Sequence, residues 1–523
     1  MKMTPCFLLL LSTCVKMKVK EAYECFHEDA FFAQTIARLY YSYDRFEEAK
    51  LWAERAATTK PNNSYILNTK GQVYRRWFEA KLKATDSNNI AKTAKNMAPA
   101  VDLALTAIEC FKHCEKVAIA DPESMNRLGF FAEIEVGNNL LKLISSIQEF
   151  ANRDDSSLVC MKYLTTQDYI PEEIRDTWEP FHGRLKNLKN TIKESLDWIS
   201  EDLSYFQKDV VAHEEEISES PEETVRNPLK VLTNVSSAYG KYLSGVPDKL
   251  LKSSKSVLAN ANPSTKRMII YHLGGGNLTS IFFKLNNQQE KDTKDLQTIL
   301  SLYPSNPQNA RFPQNDIINY IAANIALKCL SPLSPEIAPL QDLQAVSRQF
   351  PTDKRNCSPS ALFLLTMLFW PEDHETEDEK DKKYEIVLSA IEYLKKDYWT
   401  KIKDIPPRKR RLYTHFFLGN GTGLDKFVHK SKAERYTKGL RVHEKRMKWH
   451  TGEAWKMPEL AQMLKSVSGW TEDGGVYLEG PIKRKFSIQP LYLPSVPHSN
   501  ENVTFYLGFT FKGPVAYNIT VSR

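Results

Sequence analysis

Basic residues interleaved with aromatic ones form the part of the sequence whose residue types best suit a binding chemistry. Tyr436 and Trp449 lie among lysines and arginines between two strongly basic runs. Clustered cations attract phosphate in a salt-dependent way, and aromatic rings stack on bases. The pattern predicts contact with RNA; the alternatives are a solvated charged surface or an interface for an acidic protein segment. The candidate nucleic-acid-binding residues are Arg408, Lys409, Arg410, Arg411, Lys483, Arg484 and Lys485.

The positive charge is concentrated in one window of the chain. Residues 401–450 contain 15 Lys and Arg but only 4 Asp and Glu, whereas the whole chain has a net charge of +7. The remainder is therefore slightly acidic. A local basic face of this kind favours an anionic partner over a general attraction by the whole molecule.

Two glycine-rich segments have the composition of anion-binding loops but not the spacing. Gly274, Gly275 and Gly276 are followed by Asn277, without the lysine that a P-loop uses to reach phosphate. The segment 419–423 could cradle an anion, yet it lacks dinucleotide-binding spacing. A turn is the favoured interpretation of both segments.

Side chains for metal binding or nucleophilic catalysis do not form a recognisable set. Cys110, His113 and Cys114 lie within about one helical turn, but no second Cys/His pair is near to complete four zinc ligands. Motifs of zinc proteases and serine hydrolases are absent from the sequence. We therefore expect no catalytic, metal or cofactor-binding residues, and a protein that is not an enzyme.

Composition indicates a globular chain of several domains. Its 523 residues are 42% hydrophobic and 11% aromatic, enough to build real cores. The 8 cysteines are scattered through helical patterns without a C-x-x-C pair, which favours reduced thiols in a reducing compartment. A cytoplasmic location is the resulting prediction.

Residues 6–11 form a short apolar run that could belong to a signal peptide. The run has only six residues and is followed at once by Lys16, Lys18 and Lys20, so we prefer a helical remnant of an upstream domain over residues 1–29. Sequons at Asn277 and Asn502 keep a secreted glycoprotein as the weaker alternative.

The most apolar stretch, residues 361–370, lies between two prolines. Ten residues are too few to span a bilayer, so the stretch predicts a buried core helix and the chain predicts no transmembrane segment.

Helical repeats are predicted over residues 30–150. Small residues at Ala33, Ala37, Ala49 and Ala53 suit helices that cross at close range, as in tetratricopeptide-like units of about 34 residues. Residues 83–99 are predicted to be a loop insertion. Repeats of this kind bind protein partners, and the candidate groove residues are Tyr40, Tyr74 and Arg75.

A mainly α fold with a small C-terminal β-barrel follows from the remaining pattern. Residues 151–400 are predicted to be helical and residues 401–454 to be a basic linker or subdomain. From Val503 to Phe511 apolar residues alternate with others, which is typical of a half-buried strand. Four or five short strands suit an OB-fold-like domain over residues 455–523.

Several longer segments resemble the C-terminal part of the family of sterile alpha motif domain-containing proteins 9 and 9-like. They include residues 413–419, 428–432, 467–472 and 505–517, and residues 31–71 are similar to the tetratricopeptide-like region of that family. The resemblance covers essentially the whole chain.

The resemblance implies a cytosolic protein of innate antiviral defence and growth restriction, with translational repression and endosome fusion among its roles. Family members carry a sterile alpha motif, an Alba-like nucleic-acid-binding domain and a P-loop NTPase before helical repeats and an OB-fold. No positions here match those first three domains, so their functional residues cannot be carried over. The expectation is a truncated or divergent member.

These observations favour a non-catalytic scaffold or regulatory module that binds protein partners through its repeats, and RNA through its basic C-terminal region. Endosome association would come through partners. The alternatives are a nucleic-acid-binding effector that represses translation and, more weakly, the secreted glycoprotein.

Overall fold

In the computed structural model of the chain, a long series of α-helices precedes a C-terminal β-sheet, which confirms the predicted mainly α fold. One unit contains the described residues up to 199 together with 234–243 and 262–269, and the other contains the rest. The residues described are 29–120, 126–153, 155–166, 169–205, 228–243, 260–287, 289–304, 307, 310–402, 413–437, 444, 448–449, 452–479, 485–490 and 500–522.

The first helices form the repeat-like pairs that the sequence predicts. They are α1 (Ala30–Tyr41), α2 (Phe46–Thr59), α3 (Ser64–Ser87), α4 (Ala94–Ala120) and α5 (Leu128–Ser146). Consecutive helices pack on one another, and α1 also packs on α3. The alanines at the crossings are buried, Ala37 and Ala49 completely. At Gly71 a Cβ atom would lie 2.4 Å from the Phe111 ring, so only glycine lets α3 approach α4 this closely.

The predicted loop insertion at residues 83–99 is wrong for most of its length. Helix α3 continues to Ser87 and α4 begins at Ala94, so the connection covers only residues 88–93. Pro99 lies inside α4 but is exposed, so the carbonyl that its ring leaves without an amide partner can bond to water.

Further helices complete both units. They are α6 (Gln148–Ala151), α7 (Ser156–Thr165), α8 (Arg175–Leu185), α9 (Leu188–Tyr205), α10 (Pro228–Leu243), α11 (Pro263–His272), α12 (Leu278–Asn287), α13 (Glu290–Ser301), α14 (Gln314–Leu330), α15 (Leu340–Ser347), α16 (Pro359–Leu368), α17 (Glu377–Ile402), α18 (Lys430–Glu434) and α19 (Pro458–Met463). The apolar stretch is the core helix α16, capped by Ser358 and buried from Ala361 to Leu368. In the described residues, no helix is long and apolar enough to cross a membrane.

The C-terminal sheet contains a closed five-stranded barrel. Its strands are β3 (Ser466–Glu472), β4 (Gly475–Glu479), β5 (Lys485–Pro490), β6 (Asn502–Thr510) and β7 (Gly513–Val521). The order β6-β3-β4-β5-β7 closes because β7 also pairs with β6, and β5 pairs with β7 in parallel. A Greek-key barrel of five strands is the architecture of an OB-fold.

Two strands upstream of residue 455 belong to the same sheet. Strands β1 (Thr414–Leu418) and β2 (Phe427–His429) form a hairpin, and β1 pairs with β6. Both are buried along their full length, so their sequence is continuously apolar or aromatic rather than alternating. That pattern, together with their position in a basic window, explains why the sequence analysis assigned this region to a linker.

A buried ion pair holds the connection between β1 and β2. Lys426 Nζ lies 3.0 Å from Glu372 Oε1 and donates to the Trp370 carbonyl at 2.8 Å. The Gly423 amide donates to the same carboxylate at 3.1 Å. Burial alone would raise the pKa of Glu372, but Lys426 and the Gly423 amide outweigh it and hold that pKa below its usual value. The predicted turn at 419–423 therefore binds a carboxylate of the chain itself.

Removing the carboxylate should strongly destabilise the protein. In Glu372→Ala the Lys426 ammonium stays in the interior without its counter-charge, and we expect a loss of ~3–5 kcal/mol in the free energy of unfolding. The double variant Glu372→Gln/Lys426→Met should recover much of it, because neither charge then remains buried. Chemical denaturation measures the free energy of unfolding of both variants.

The neighbouring pair Asp373–Lys465 provides the control. Its atoms lie 2.6 Å apart, but Asp373 is 87% exposed, so Asp373→Ala should cost at most about 1 kcal/mol. If Glu372→Ala and Asp373→Ala lower the free energy of unfolding equally, the buried pair does not stabilise the protein more than the exposed one.

Candidate functional site

Six of the seven predicted nucleic-acid-binding residues lie outside the described residues. These are Arg408, Lys409, Arg410, Arg411, Lys483 and Arg484. The seventh, Lys485, begins β5 opposite Glu479 of β4. Their role in binding RNA stays a prediction.

The three candidate groove residues lie within the packing of the first helices. Tyr40 is 6% exposed and Tyr74 is 8% exposed. The Tyr74 hydroxyl donates to Glu54 at 3.4 Å, and burial raises its pKa. Arg75 pairs with Glu79 at 2.9 Å and with Glu135 at 2.8 Å. These contacts shape the repeats, and direct contact with a partner stays a prediction for all three residues.

Two aromatic side chains that the sequence analysis missed are exposed on the same pair of repeats. Phe31 of α1 is 42% exposed and Tyr65 of α3 is 40% exposed. Gln34, about one turn after Phe31, donates to the Tyr65 carbonyl at 2.9 Å, so α1 and α3 lie close together at these positions. The Lys60 ammonium lies 4.7 Å from the Phe31 ring centre. We call Phe31, Tyr65 and Lys60 the repeat patch.

One local feature of the sequence indicates that Phe31 lies away from the buried face of α1. Asp29 caps α1 by accepting from the Phe31 amide at 2.9 Å, which places Phe31 in the first turn. The buried face of α1 contains Ala30, Ala33 and Ala37. Position 31 therefore lies off the buried stripe, although a large apolar residue there is readily taken for core.

A pair of carboxyl groups is buried in the helical unit. Glu133 of α5 is completely buried, and its carboxyl accepts from the Ser195 hydroxyl. Lys112 of α4 lies 3.2 Å from Glu115 and 3.5 Å from Glu133. Burial, and then the neighbouring Glu115, raise the pKa of Glu133 well above its usual value. The Lys112 ammonium opposes this rise, but burial outweighs it.

A surface cleft of about 430 Å³ lies beside this cluster. Leu105, Ile108 and Leu188 form its apolar wall, and Lys112 is among its lining residues. Arg184, at the rim, pairs with Glu109 at 2.7 Å and Asp102 at 3.1 Å. The cations of the cleft are thus largely neutralised by the protein's own carboxylates, and the cleft presents no strong charge to a ligand.

The outer face of the barrel carries a stacked aromatic pair. Trp470 of β3 lies opposite Tyr477 of β4, with ring centres 6.0 Å apart and planes inclined by 23°. Both side chains are partly exposed, whereas their sequence neighbours Thr471 and Val476 are completely buried. The sequence analysis missed β3, because Gly469 and four polar residues leave it without a clear apolar alternation.

Groups that often do chemistry are buried in structural roles. The His415 imidazole donates from Nε2 to the Ser204 carbonyl at 2.9 Å, and burial lowers its pKa to about 4. His429 is buried as well, and its pKa is also lowered. The cysteines in the described residues are free thiols, and burial raises their pKa. Within the described ranges no three His, Cys, Asp or Glu side chains group to hold a metal.

The sequon at Asn277 is not accessible to a glycan. Its side-chain oxygen accepts from the Ser200 hydroxyl at 3.1 Å and from the Ser280 amide at 2.8 Å. Asn277 is 8% exposed, so this sequon does not support the alternative of a secreted glycoprotein.

Known proteins resemble the chain over nearly its whole length. Sterile alpha motif domain-containing protein 9-like is 26% identical in Mus musculus and 27% identical in Homo sapiens, each over 95% of this chain. Sterile alpha motif domain-containing protein 9 of Homo sapiens is 25% identical over 97% of it. The chain spans about a third of the length of these relatives, 32% to 33%. The predicted resemblance is confirmed.

No protein-family model matches the chain. Among solved structures, a chain from "Structure of Naa15/Naa10 bound to HypK-THB" is 14% identical, with a TM-score of 0.13. That match covers 75% of this chain and 69% of the other. The assignment of the fold rests on the helices and strands of the chain itself.

The raised pKa of Glu133 gives a pH-dependent prediction. A carboxyl whose pKa is raised on folding stabilises the folded state at low pH, and this contribution is lost as pH rises above the usual range of a glutamate. Glu133→Gln imitates the protonated form, so its stability relative to the wild type should increase between pH 5 and pH 8. Urea denaturation at several pH values measures the difference.

Glu179→Gln is the control, because Glu179 is exposed on the same unit. Its stability relative to the wild type should stay constant over that pH range. A Glu133→Gln difference that is equally independent of pH would contradict the raised pKa of Glu133.

Proposed function

Because the chain resembles sterile alpha motif domain-containing proteins 9 and 9-like over nearly its whole length, we propose that it is a non-catalytic scaffold or regulatory module. Its helical repeats hold a protein partner, and its C-terminal region contacts RNA. The repeat patch is the observation that carries the first part of this proposal.

Exposed aromatic rings on stacked helices suit protein binding. Aromatic side chains contribute a large contact area, and they are enriched at the centre of protein interfaces. Phe31 and Tyr65 lie on successive repeats, so one partner segment can touch both. Lys60 beside Phe31 favours a partner that brings a carboxylate next to its apolar side chains.

The absence of catalysis is supported by the environment of the reactive groups. In the described residues, His415 and His429 are buried and have lowered pKa values, and the cysteine thiols have raised ones. A general base or a nucleophile needs the opposite, namely access to substrate and a pKa near the working pH. The purified chain should neither turn over ATP nor hydrolyse tRNA. Either activity, if abolished by one substitution, would contradict the proposal that the chain is non-catalytic.

The proposed location and cellular role rest on the resemblance to the family alone. We propose a cytoplasmic protein that acts in innate antiviral defence and growth restriction, with endosome association through its partners. Repression of translation through bound RNA is the second candidate function, favoured by the outward-facing Trp470 and Tyr477.

Partner binding should depend on the repeat patch. The double variant Phe31→Ala/Tyr65→Ala should lose most of the proteins that the wild type retains in quantitative affinity purification, because truncation of aromatic anchors costs ~2 kcal/mol or more each. Circular dichroism and the melting temperature should change little, since both rings are exposed.

Leu51→Ala is the matched control. Leu51 of α2 is 49% exposed and lies outside the repeat patch. The proposal requires that this variant keep the partners. Loss of the same partners in both variants, or in neither, would contradict binding at the patch.

RNA binding by the basic runs has its own test. Filter binding of RNA across a salt series should give an affinity that falls steeply with salt, and Arg408→Glu, Lys409→Glu, Arg410→Glu and Arg411→Glu together should weaken it and flatten the slope. An affinity insensitive both to salt and to these substitutions would remove the basic window from the function.

A further inference from the structure

The aromatic pair on the barrel continues into a polar row. Tyr477 pairs with Ser487 of β5, which is exposed. Because side chains alternate between the two faces of a strand, Trp470, Tyr477 and Ser487 lie side by side on the outer face. Adjacent strands lie about 4.8 Å apart, so the row extends over roughly 10 Å. This is enough for more than one base of an extended polynucleotide.

One lysine, Lys395, lies next to this row, and a second, Lys512, packs on the same helix, α17. Lys395 of α17 donates from Nζ to the Ser487 carbonyl at 3.4 Å. Lys512, in the turn between β6 and β7, has its ammonium 4.3 Å from the ring centre of Trp399 and 4.8 Å from that of Tyr398. Trp399 is 54% exposed, so an aromatic face is open to solvent beside the lysines.

Neither lysine has a carboxylate partner within the described parts of the chain. Other lysines of this unit are paired, such as Lys401 with Glu201 and Lys426 with Glu372. Burial lowers the pKa of Lys395, and burial together with the like charge of Lys395 lowers the pKa of Lys512 to about 8. Two adjacent ammonium groups without a counter-charge favour a bound anion.

We propose that this face of the barrel binds a single-stranded polynucleotide, with bases stacked on Trp470 and Tyr477 and a backbone phosphate at Lys395 and Lys512. The proposal deepens the RNA-binding part of the proposed function, but it uses none of the residues of the two basic runs.

The combination of groups selects a single strand. A duplex keeps its bases stacked on one another, so it could offer only phosphates to the lysines and nothing to the aromatic pair. An acidic peptide could likewise satisfy the lysines but has no base to place on Trp470. Stacking on aromatic side chains tolerates any base, so no sequence specificity is expected.

The test measures fluorescence anisotropy of three labelled probes with the full chain. They are a single-stranded oligonucleotide of twelve uridines, an RNA duplex of the same length and a polyglutamate peptide. The wild type should bind the single strand at least about tenfold more tightly than the other two, since stacking of one base on an aromatic ring accounts for a difference of about this size. Equal affinity for the peptide or the duplex would overturn the proposal.

Substitutions then locate the site. Trp470→Ala and Tyr477→Ala should each weaken single-strand binding about tenfold, whereas Trp470→Phe, which keeps an aromatic face, should retain most of it. Lys395→Gln with Lys512→Gln should flatten the salt dependence by about one in slope. Tyr43→Ala, at an aromatic residue of the helical repeats that is 43% exposed, and Lys354→Gln are the matched controls.

The outcomes separate this proposal from the broader function. Single-strand binding that survives in folded Trp470→Ala and Tyr477→Ala variants, but is lost on charge reversal of residues 408–411, would overturn this site and leave RNA binding by the basic run intact. Binding lost only in the barrel variants would support the site and exclude the basic run. A wild type that binds no polynucleotide would contradict both.

Discussion

The interior charge of Lys426 constrains the whole C-terminal sheet. An ammonium group in a dry interior is tolerated only with a counter-charge and hydrogen-bond acceptors, and both come from the segment directly after the apolar helix α16. The Glu372 carboxylate also binds the glycine-rich loop between β1 and β2. The ion pair therefore joins the end of the apolar core helix to the hairpin that extends the barrel, beside aromatic contacts such as Phe363 with His415.

Both units also contain buried ionisable groups whose pKa values are shifted by their surroundings. Burial, and then the neighbouring Glu115, raise the pKa of Glu133, and burial against aromatic rings such as Phe363 lowers the pKa of His415. Such groups are arranged to support the fold, and they leave recognition to the surface. The molecule accordingly presents two kinds of exposed aromatic feature, the repeat patch on the helices and the stacked pair on the barrel.

Sequence patterns predicted the elements whose burial is periodic. The alanine spacing of α1 and α2, the core helix α16 and the alternating β6 were all found, because each has one buried face or is buried throughout. The pattern failed where burial is not periodic, as in β1, or where glycine and polar residues interrupt a strand, as in β3. The outer aromatic pair could not be predicted, because it depends on which residue of β4 lies opposite Trp470.

Strand β6 has three neighbours, since its first half pairs with β3, its last residues pair with β1, and β7 runs along nearly all of it. Apart from backbone bonds between residues 418–420 and 463–465, the described main-chain bonds connect the β1–β2 hairpin to the β3–β4–β5 meander through β6. During translation, β6 and β7 are synthesised after strands β1 to β5. Assembly of this domain during translation thus waits on its final residues, and apolar hairpins such as β1–β2 need shielding in the meantime.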